Sequence, residues 1–375
     1  MVWIISFLSI SYFIFLFLLI RAWIGIKEPE ILNSNYPFIS VIIPVRNEAH
    51  NITPLIRCLE NQAYAYEHFE VIFIDDYSED GTYEQLIDFS KKSLADIRVY
   101  QREKDAVEGI SYKKAAITYG MTKASGELIL LTDGDVLLER NWIQVYAGAF
   151  TGTDSKFISG PVVMDGKGFI DDVQSLEFSS LIGAGAAAIY YNKPILCNGA
   201  NLAFRKEAFF EVKGYEGYEK IISGDDEFLM YKISKRYPSG ISFLKSIQAM
   251  VHIQPKSGIK EFYHQRRRWS GKWGKHPNPL SKALAIYIFI VQLSFLLLFI
   301  FGISKLVTLN AVILLLAIKL LLEFIYFKLM YRFLIKRLKV IPFMISSLVY
   351  PLYAVTFGIL SNLGGYEWKG RHFKN

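Results

Sequence analysis

Residues 2–20 contain no charged side chain, and neither do residues 283–304 or 340–363. At a rise of about 1.5 Å per residue, each run comes close to crossing the hydrocarbon core of a bilayer. Backbone in lipid must satisfy its own hydrogen bonds, so these runs are expected as helices. Hydrophobic residues make up 52% and aromatic residues 15% of the 375, too much for an ordinary soluble enzyme. Residues 306–327 are apolar apart from Lys319 and Glu323. These two stand four apart on one helical face, which suits a tolerated ion pair better than a functional relay.

Charge sets the expected orientation. No basic region precedes residues 2–20 and no small-x-small cleavage pattern follows, so residues 1–26 are expected to be an uncleaved transmembrane anchor rather than a signal peptide. Arg21 and Lys27 flank it. Residues 256–275 carry seven basic side chains and one acidic, and residues 328–339 carry five basic and no acidic, within a chain of net charge +7. Beside apolar runs, such stretches mark the cytoplasmic side of a membrane rather than a nucleic-acid surface. The expected organisation is therefore a cytoplasmic domain over 27–279. A C-terminal membrane region over 280–375 follows, with two or three transmembrane helices and a short basic tail. If 340–363 crosses fully, Lys369, Arg371 and Lys374 fall on the outer side, whereas a kink or re-entrant hairpin at Pro351 would return them. Cys58 and Cys197, the two cysteines, can build neither a disulfide framework nor a thiolate metal site.

The middle segment changes pattern. Apolar or β-branched runs at 38–44, 69–74, 97–101 and 127–132 read as strands, and 112–123 reads as a helix. Alternating strands and helices predict an α/β domain with a mostly parallel, covered sheet that binds ligands beyond the carboxyl ends of its strands. Asp75-Asp76 and Asp133-Gly134-Asp135 stand at two such ends. Asp133 and Asp135 are hard oxygen ligands suited to Mg²⁺ or Mn²⁺, although an acidic turn is often simply solvated. Asp225 and Asp226 follow Gly224 at a helix start, where capping accounts for one of them. Adjacent carboxylates in a cleft would also push one toward the behaviour of a general base. Lys113 and Lys114 could neutralise phosphate or be solvated helix charges. In the pentad 265–269, arginine suits forked recognition of phosphate, and Trp269 offers a flat face to a sugar ring or lipid. Phe262, Tyr263 and Trp273 nearby suit either acceptor contacts or headgroup anchors. The phosphate loop, G-x-G-x-x-G and His-Glu-x-x-His are absent from the sequence.

Val41-Ile42-Ile43-Pro44-Val45-Arg46-Asn47-Glu48, Ile74 to Thr82, Lys113 with Ala116 and Gly120, Thr132-Asp133-Gly134-Asp135, Gly224-Asp225-Asp226 and Gln265-x-x-Arg268-Trp269 resemble, in order, the signatures of family 2 glycosyltransferases. The resemblance spans nearly the whole cytoplasmic segment. It implies a GT-A fold, an inverting mechanism, a nucleotide-diphosphate sugar donor and a divalent metal. It assigns donor contacts to Pro44, Asn47, Glu48, Asp76, Lys113 and Asp133, metal to Asp135 and Asp133, and the general base to Asp226. Asp225, Gln265, Arg268 and Trp269 fall toward the acceptor and diphosphate. Tyr77, Thr118 and Asp225 stand where the family usually has Gly, Asn and Glu. Residues 198–205 resemble an acceptor-side loop of membrane members, and equally an ordinary turn into a strand. The expected activity is transfer of one sugar to a lipid or lipid-linked acceptor at the cytoplasmic membrane face. A processive polysaccharide synthase is a second enzyme reading, and a catalytically silent scaffold is a reading of another class.

Overall fold

The computed structural model describes residues 2–29, 37–102, 111–271, 276–360, 365–368 and 371–373. In chain order the first elements are α1 (Val2–Gly25), β1 (Ile39–Val45), α2 (Ala49–Glu60), β2 (Phe69–Asp75), α3 (Thr82–Ser90), β3 (Asp96–Gln101) and α4 (Tyr112–Lys123). Next come β4 (Leu128–Leu131), β5 (Val136–Leu138), α5 (Trp142–Thr151), β6 (Phe157–Ser159), β7 (Val162–Met164) and α6 (Phe169–Tyr190). They are followed by β8 (Leu202–Arg205), α7 (Lys206–Glu211), α8 (Asp225–Arg236), β9 (Ile241–Phe243), β10 (Val251–Ile253) and α9 (Ile259–Gly271). The chain closes with α10 (Pro279–Ile303), α11 (Leu309–Phe333), α12 (Val340–Leu360), β11 (Tyr366–Trp368) and β12 (Arg371–Phe373). These elements fall into two compact units, one of residues 26–165 and 188–254, the other of 1–25, 166–187 and 255–375.

The first unit is built on a seven-stranded sheet of order β3-β2-β1-β4-β8-β6-β9. β1 and β2 are almost wholly buried, as mostly apolar strands are when both faces of a sheet are covered, and the two polar side chains inside them, Ser40 and Glu70, are hydrogen-bonded to each other at 2.6 Å. α4 closes on one face: a Cβ on Gly120 would lie 2.8 Å from Ile42, so only glycine permits this approach. Ile42, Ile72, Ile74, Ile117, Met121, Leu131, Phe204 and Leu229 join in one core. The sheet is mixed and matches the expectation of a mostly parallel one in part. β1 to β4, β6 and β9 run one way, while β8 lies antiparallel to both β4 and β6. Leu131 pairs with Leu202, so the chain enters β8 at the edge where β4 ends, and the loop before β8 stands among the carboxyl ends of the parallel strands. A second sheet, β5-β10-β7, continues from the acidic turn after β4. There His252 holds Asp165 at 2.6 Å and Glu139 at 3.0 Å, and these hydrogen bonds keep its imidazole protonated to higher pH than usual.

In the second unit, Trp3–Gly25, Pro279–Ile303 and Val340–Leu360 are long and apolar enough to cross a membrane. α12 runs as one helix through Pro351, so the re-entrant hairpin is not formed; Lys369 and Lys374 lie outside the described residues. α11 packs on α1 and carries the expected ion pair, Lys319 Nζ to Glu323 Oε1 at 2.8 Å. Two other helices join it: Tyr12 donates to Glu323 Oε1 at 2.8 Å, and Lys319 donates to the Ser347 carbonyl at 2.8 Å.

Candidate active site

Parallel strands deliver their ends to one edge, and the first unit gathers its acidic residues there. Lys113, on the first turn of α4, places its ammonium 2.6 Å from Asp133 Oδ1 and 3.4 Å from Asp225 Oδ2. Burial pulls this ammonium toward neutrality, but Asp133, Asp225 and Asp226 outweigh it and hold Lys113 charged well beyond the usual lysine range. Gly224, at φ +82°, takes a left-handed conformation that glycine adopts without penalty and turns the chain into α8. Asp225 and Asp226 then open that helix, where its positive end favours carboxylates, and Asp226 Oδ1 accepts from the Glu227 amide at 2.9 Å. Gly224 itself is the N-cap and no side chain caps the helix, so the two carboxylates stand in its first turn beside Lys113.

The loop before β8 completes this cluster. A Cβ on Gly199 would lie 3.2 Å from Lys113 Nζ, 3.4 Å from Asp225 Oδ2 and 3.5 Å from Asp226 Oδ2. Its neighbour Asn201 is fully buried and structural, accepting from Trp142 and Tyr146 and donating to the carbonyls of Pro161 and Ala249. Residues 198–205 thus form a turn into a strand that sets one residue against the acids.

The residues expected at the donor form a second group around the ends of β1 and β2. Asn47 (φ +52°) ties the two loops together, its amide donating to Ser78 Oγ and its Oδ1 accepting from the Glu79 amide, both at 2.9 Å. Glu48 is buried; its amide donates to Thr82 Oγ1 at 2.8 Å and its Oε2 accepts from Asn51 at 2.7 Å. Pro44 lies within β1, opposite Ile74. Asp76 is held by Arg102 at 3.2 Å, a partner that the sequence reading did not single out. Tyr77 stands at φ +56°, which explains the family's glycine at this position: a tyrosine tolerates that backbone at a cost, and its hydroxyl is held by the Arg102 carbonyl. Gly134 is needed for close approach, since a Cβ there would meet Val45 at 2.9 Å and Glu48 at 3.1 Å. The acidic turn is thereby pressed against the end of β1.

Neither lysine is a solvated helix charge. Lys114 is buried, donates to the carbonyls of Tyr218 and Ile221, and lies 4.7 Å from the Phe228 ring centroid. Burial brings its ammonium down to about 8, and it anchors the segment that leads into Gly224.

Asp133 and half-buried Asp135 share one turn. Among the described residues no three His, Cys, Asp or Glu side chains form a ready-made metal cage. A turn with two carboxylates still fits Mg²⁺ or Mn²⁺, which take few protein ligands and complete their shell from phosphate and water. Three carboxylates converging on one ammonium also leave this edge with excess negative charge.

Gln265, Arg268 and Trp269 lie on α9, in the second unit. Arg266 and Arg267 are buried, leaving Arg268 the most exposed of the three consecutive arginines. Trp269 packs on Phe178, with ring centroids 6.1 Å apart. Phe262 and Tyr263 pack against Phe357 of α12, and Trp273 lies outside the described residues.

Comparison with known proteins bears on this arrangement. The sequence matches the profile of Glycosyl transferase family 2 over residues 40–212, and that of Glycosyl transferase family group 2 over 128–359. Glycosyltransferase AglE of Haloferax volcanii is 33% identical over 131 residues, 35% of this chain and 41% of that protein. A Methanococcus voltae enzyme, named as a dolichyl N-acetyl-alpha-D-glucosaminyl phosphate 3-beta-D-2,3-diacetamido-2,3-dideoxy-beta-D-glucuronosyltransferase, is 27% identical over 177 residues, 46% of this chain and 50% of its own length. The chain thus spans half or less of these two relatives. The mannosyltransferase PcManGT of Pyrobaculum calidifontis, solved with GDP-Man and Mn²⁺, shares the fold with a TM-score of 0.58 over 95% of each chain, at 15% identity. The family group 2 profile takes in more than half of the 375 residues, and the chain belongs to that glycosyltransferase family.

Proposed function

We propose that this protein is an inverting, metal-dependent glycosyltransferase that moves one sugar from a nucleotide-diphosphate donor to a lipid or lipid-linked hydroxyl at the cytoplasmic face of the membrane. The observation that carries the reading is the cluster of Asp133, Asp225 and Asp226 around Lys113 at the carboxyl ends of parallel strands. The basic stretches beside the apolar helices favour the cytoplasmic side. Two features favour the lipid acceptor: Trp269 stands ten residues before α10, and the methanococcal relative is named for a dolichyl phosphate-linked substrate.

In this reading the acceptor oxygen attacks the anomeric carbon as the bond to the diphosphate oxygen breaks, which inverts that carbon. Asp226 takes the hydroxyl proton, and the nucleoside diphosphate leaves. Lys113 and Arg268 stabilise the charge that develops on the leaving group, and Pro44, Asn47, Glu48 and Asp76 shape the nucleotide end. A divalent ion at Asp133 and Asp135 would neutralise the diphosphate.

The test is incubation of the full chain in native membranes with a panel of radiolabelled nucleotide sugars. The expected product is organic-extractable and carries one added sugar. A water-soluble polymer that lengthens with time would instead establish a processive synthase, and no transfer from any donor would remove the enzyme reading. Asp135→Ala should weaken donor binding in the presence of Mg²⁺ or Mn²⁺ and leave metal-free binding unchanged. Calorimetric titration that finds equal donor affinity with and without metal in the parent protein would contradict a metal role for this turn.

A further inference from the structure

The segment 265–269 is held by a residue far away in sequence. Glu177, on α6, accepts from Arg266 Nε at 2.7 Å through Oε2, which also pairs with Arg266 Nη2 at 2.5 Å. Its other oxygen accepts from the Tyr353 hydroxyl of α12 at 2.5 Å. Both charges are withdrawn from solvent, with 2% of the Arg266 side chain and 16% of Glu177 exposed. The clamped guanidinium lies between two rings of its own helix, 4.4 Å from the Phe262 centroid and 4.5 Å from that of Trp269. Its remaining amine, Nη1, donates to Gln265 Oε1. One carboxylate therefore fixes a guanidinium that in turn touches the first and last residues of the pentad. A planar guanidinium held on both edges is a rigid plate for an indole, whereas an unpaired one would swing toward water.

We infer that Glu177 is the positioning residue for Gln265 and Trp269, acting through Arg266, and that Tyr353 fixes Glu177 in turn. The inference rests on the proposed function only for what the pentad does in transfer; the positioning itself is a property of α6, α9 and α12. Arg266 occupies a place that the family pattern leaves open, and Glu177 lies 88 residues before Gln265, so neither was visible as a functional position. Deleting the carboxylate should displace Trp269 and Gln265, and displacement of about 1 Å at a reacting centre can cost about 10²-fold in turnover.

The experiment uses Glu177→Gln, Arg266→Met and the double variant Glu177→Leu/Arg266→Met in the full chain. Apolar replacement of a buried pair commonly preserves packing and stability, so the double variant separates folding from positioning. Trp269 emission is isolated by subtracting the matched Trp269→Phe protein. Acrylamide quenching of that emission should rise in Glu177→Gln and in the double variant, while the double variant unfolds at the parent temperature. With an active donor and acceptor, kcat should fall by about 10²-fold in both, with donor affinity unchanged. Unaltered quenching in Glu177→Gln, or parent-like kcat in the double variant, would overturn the inference. If the parent transfers no sugar, the functional reading fails, and the quenching result still decides the positioning.

Discussion

Asp226→Asn is expected to lower kcat by about 10²–10⁴-fold, the usual contribution of a general base, with donor affinity essentially retained. Asparagine keeps the shape of the side chain and can still accept from the Glu227 amide, so the start of α8 should not move. Lys113 keeps its contacts with Asp133 and Asp225, so its ammonium stays in place. What disappears is the charge that the proposed mechanism uses to receive the acceptor proton. Asp225→Asn is the internal comparison, because that carboxylate pairs with Lys113 at 3.4 Å and its loss should weaken the charge balance of the site. Single-turnover rates and equilibrium binding of nucleoside diphosphate, measured on both variants, separate the two roles. Near-parent turnover in Asp226→Asn would end its assignment, and a larger loss in Asp225→Asn would move the base to that residue.

The strands that carry the acids were legible because an apolar run ending in Asp is both a burial signal and a boundary. β1 to β4 lie within a residue or two of the expected positions. Strand direction was not legible. Four residues such as Leu202–Arg205 read the same in either orientation, and pairing with β4 and β6 decides. That antiparallel insertion has a consequence for the site, since it presents Gly199 to Lys113. α6 also left no usable signal of its placement. Its small residues matter only through distant partners: a Cβ on Gly183 would lie 2.1 Å from the Tyr326 hydroxyl, so glycine lets α6 approach α11 across more than 140 residues of sequence.

Within the site, residue types were readable and their partners were not. The resemblance marked Lys113, Asp133 and Asp225, and the Lys113 ammonium lies within 3.4 Å of both carboxylates. Adjacent Lys114 carries the same charge but is drawn into the core by two loop carbonyls, a difference set by helical rotation of about 100° per residue. The departure at Tyr77 becomes intelligible only with its φ of +56° and the Arg102 carbonyl in view. A glycine at this position would relieve the backbone and lose the phenolic contact, so the two effects oppose each other.

Lys319→Met should destabilise the helices of the second unit by about 3–5 kcal/mol, the cost of leaving one member of a buried ion pair without its counter-charge. The pair was expected from spacing alone, as two charges that cancel on one helical face. Its surroundings make it more than a local cancellation: Glu323 also accepts from Tyr12 on α1, and Lys319 also donates to Ser347 on α12. Three helices are therefore tied through two side chains that are 2% and 7% exposed. Removing Lys319 strands the carboxylate in a low-dielectric setting, whereas Lys319→Met/Glu323→Leu removes both charges and leaves a single hydroxyl to be satisfied. The double variant should recover most of the lost stability, and adding Tyr12→Phe should recover more, because it removes the buried hydroxyl that has lost its carboxylate acceptor. Unfolding of the parent and the three variants in one detergent or bilayer system gives the ordering directly. A single variant that unfolds like the parent would show that the pair contributes nothing, and a double variant no better than the single would show that α1, α11 and α12 depend on these particular charges.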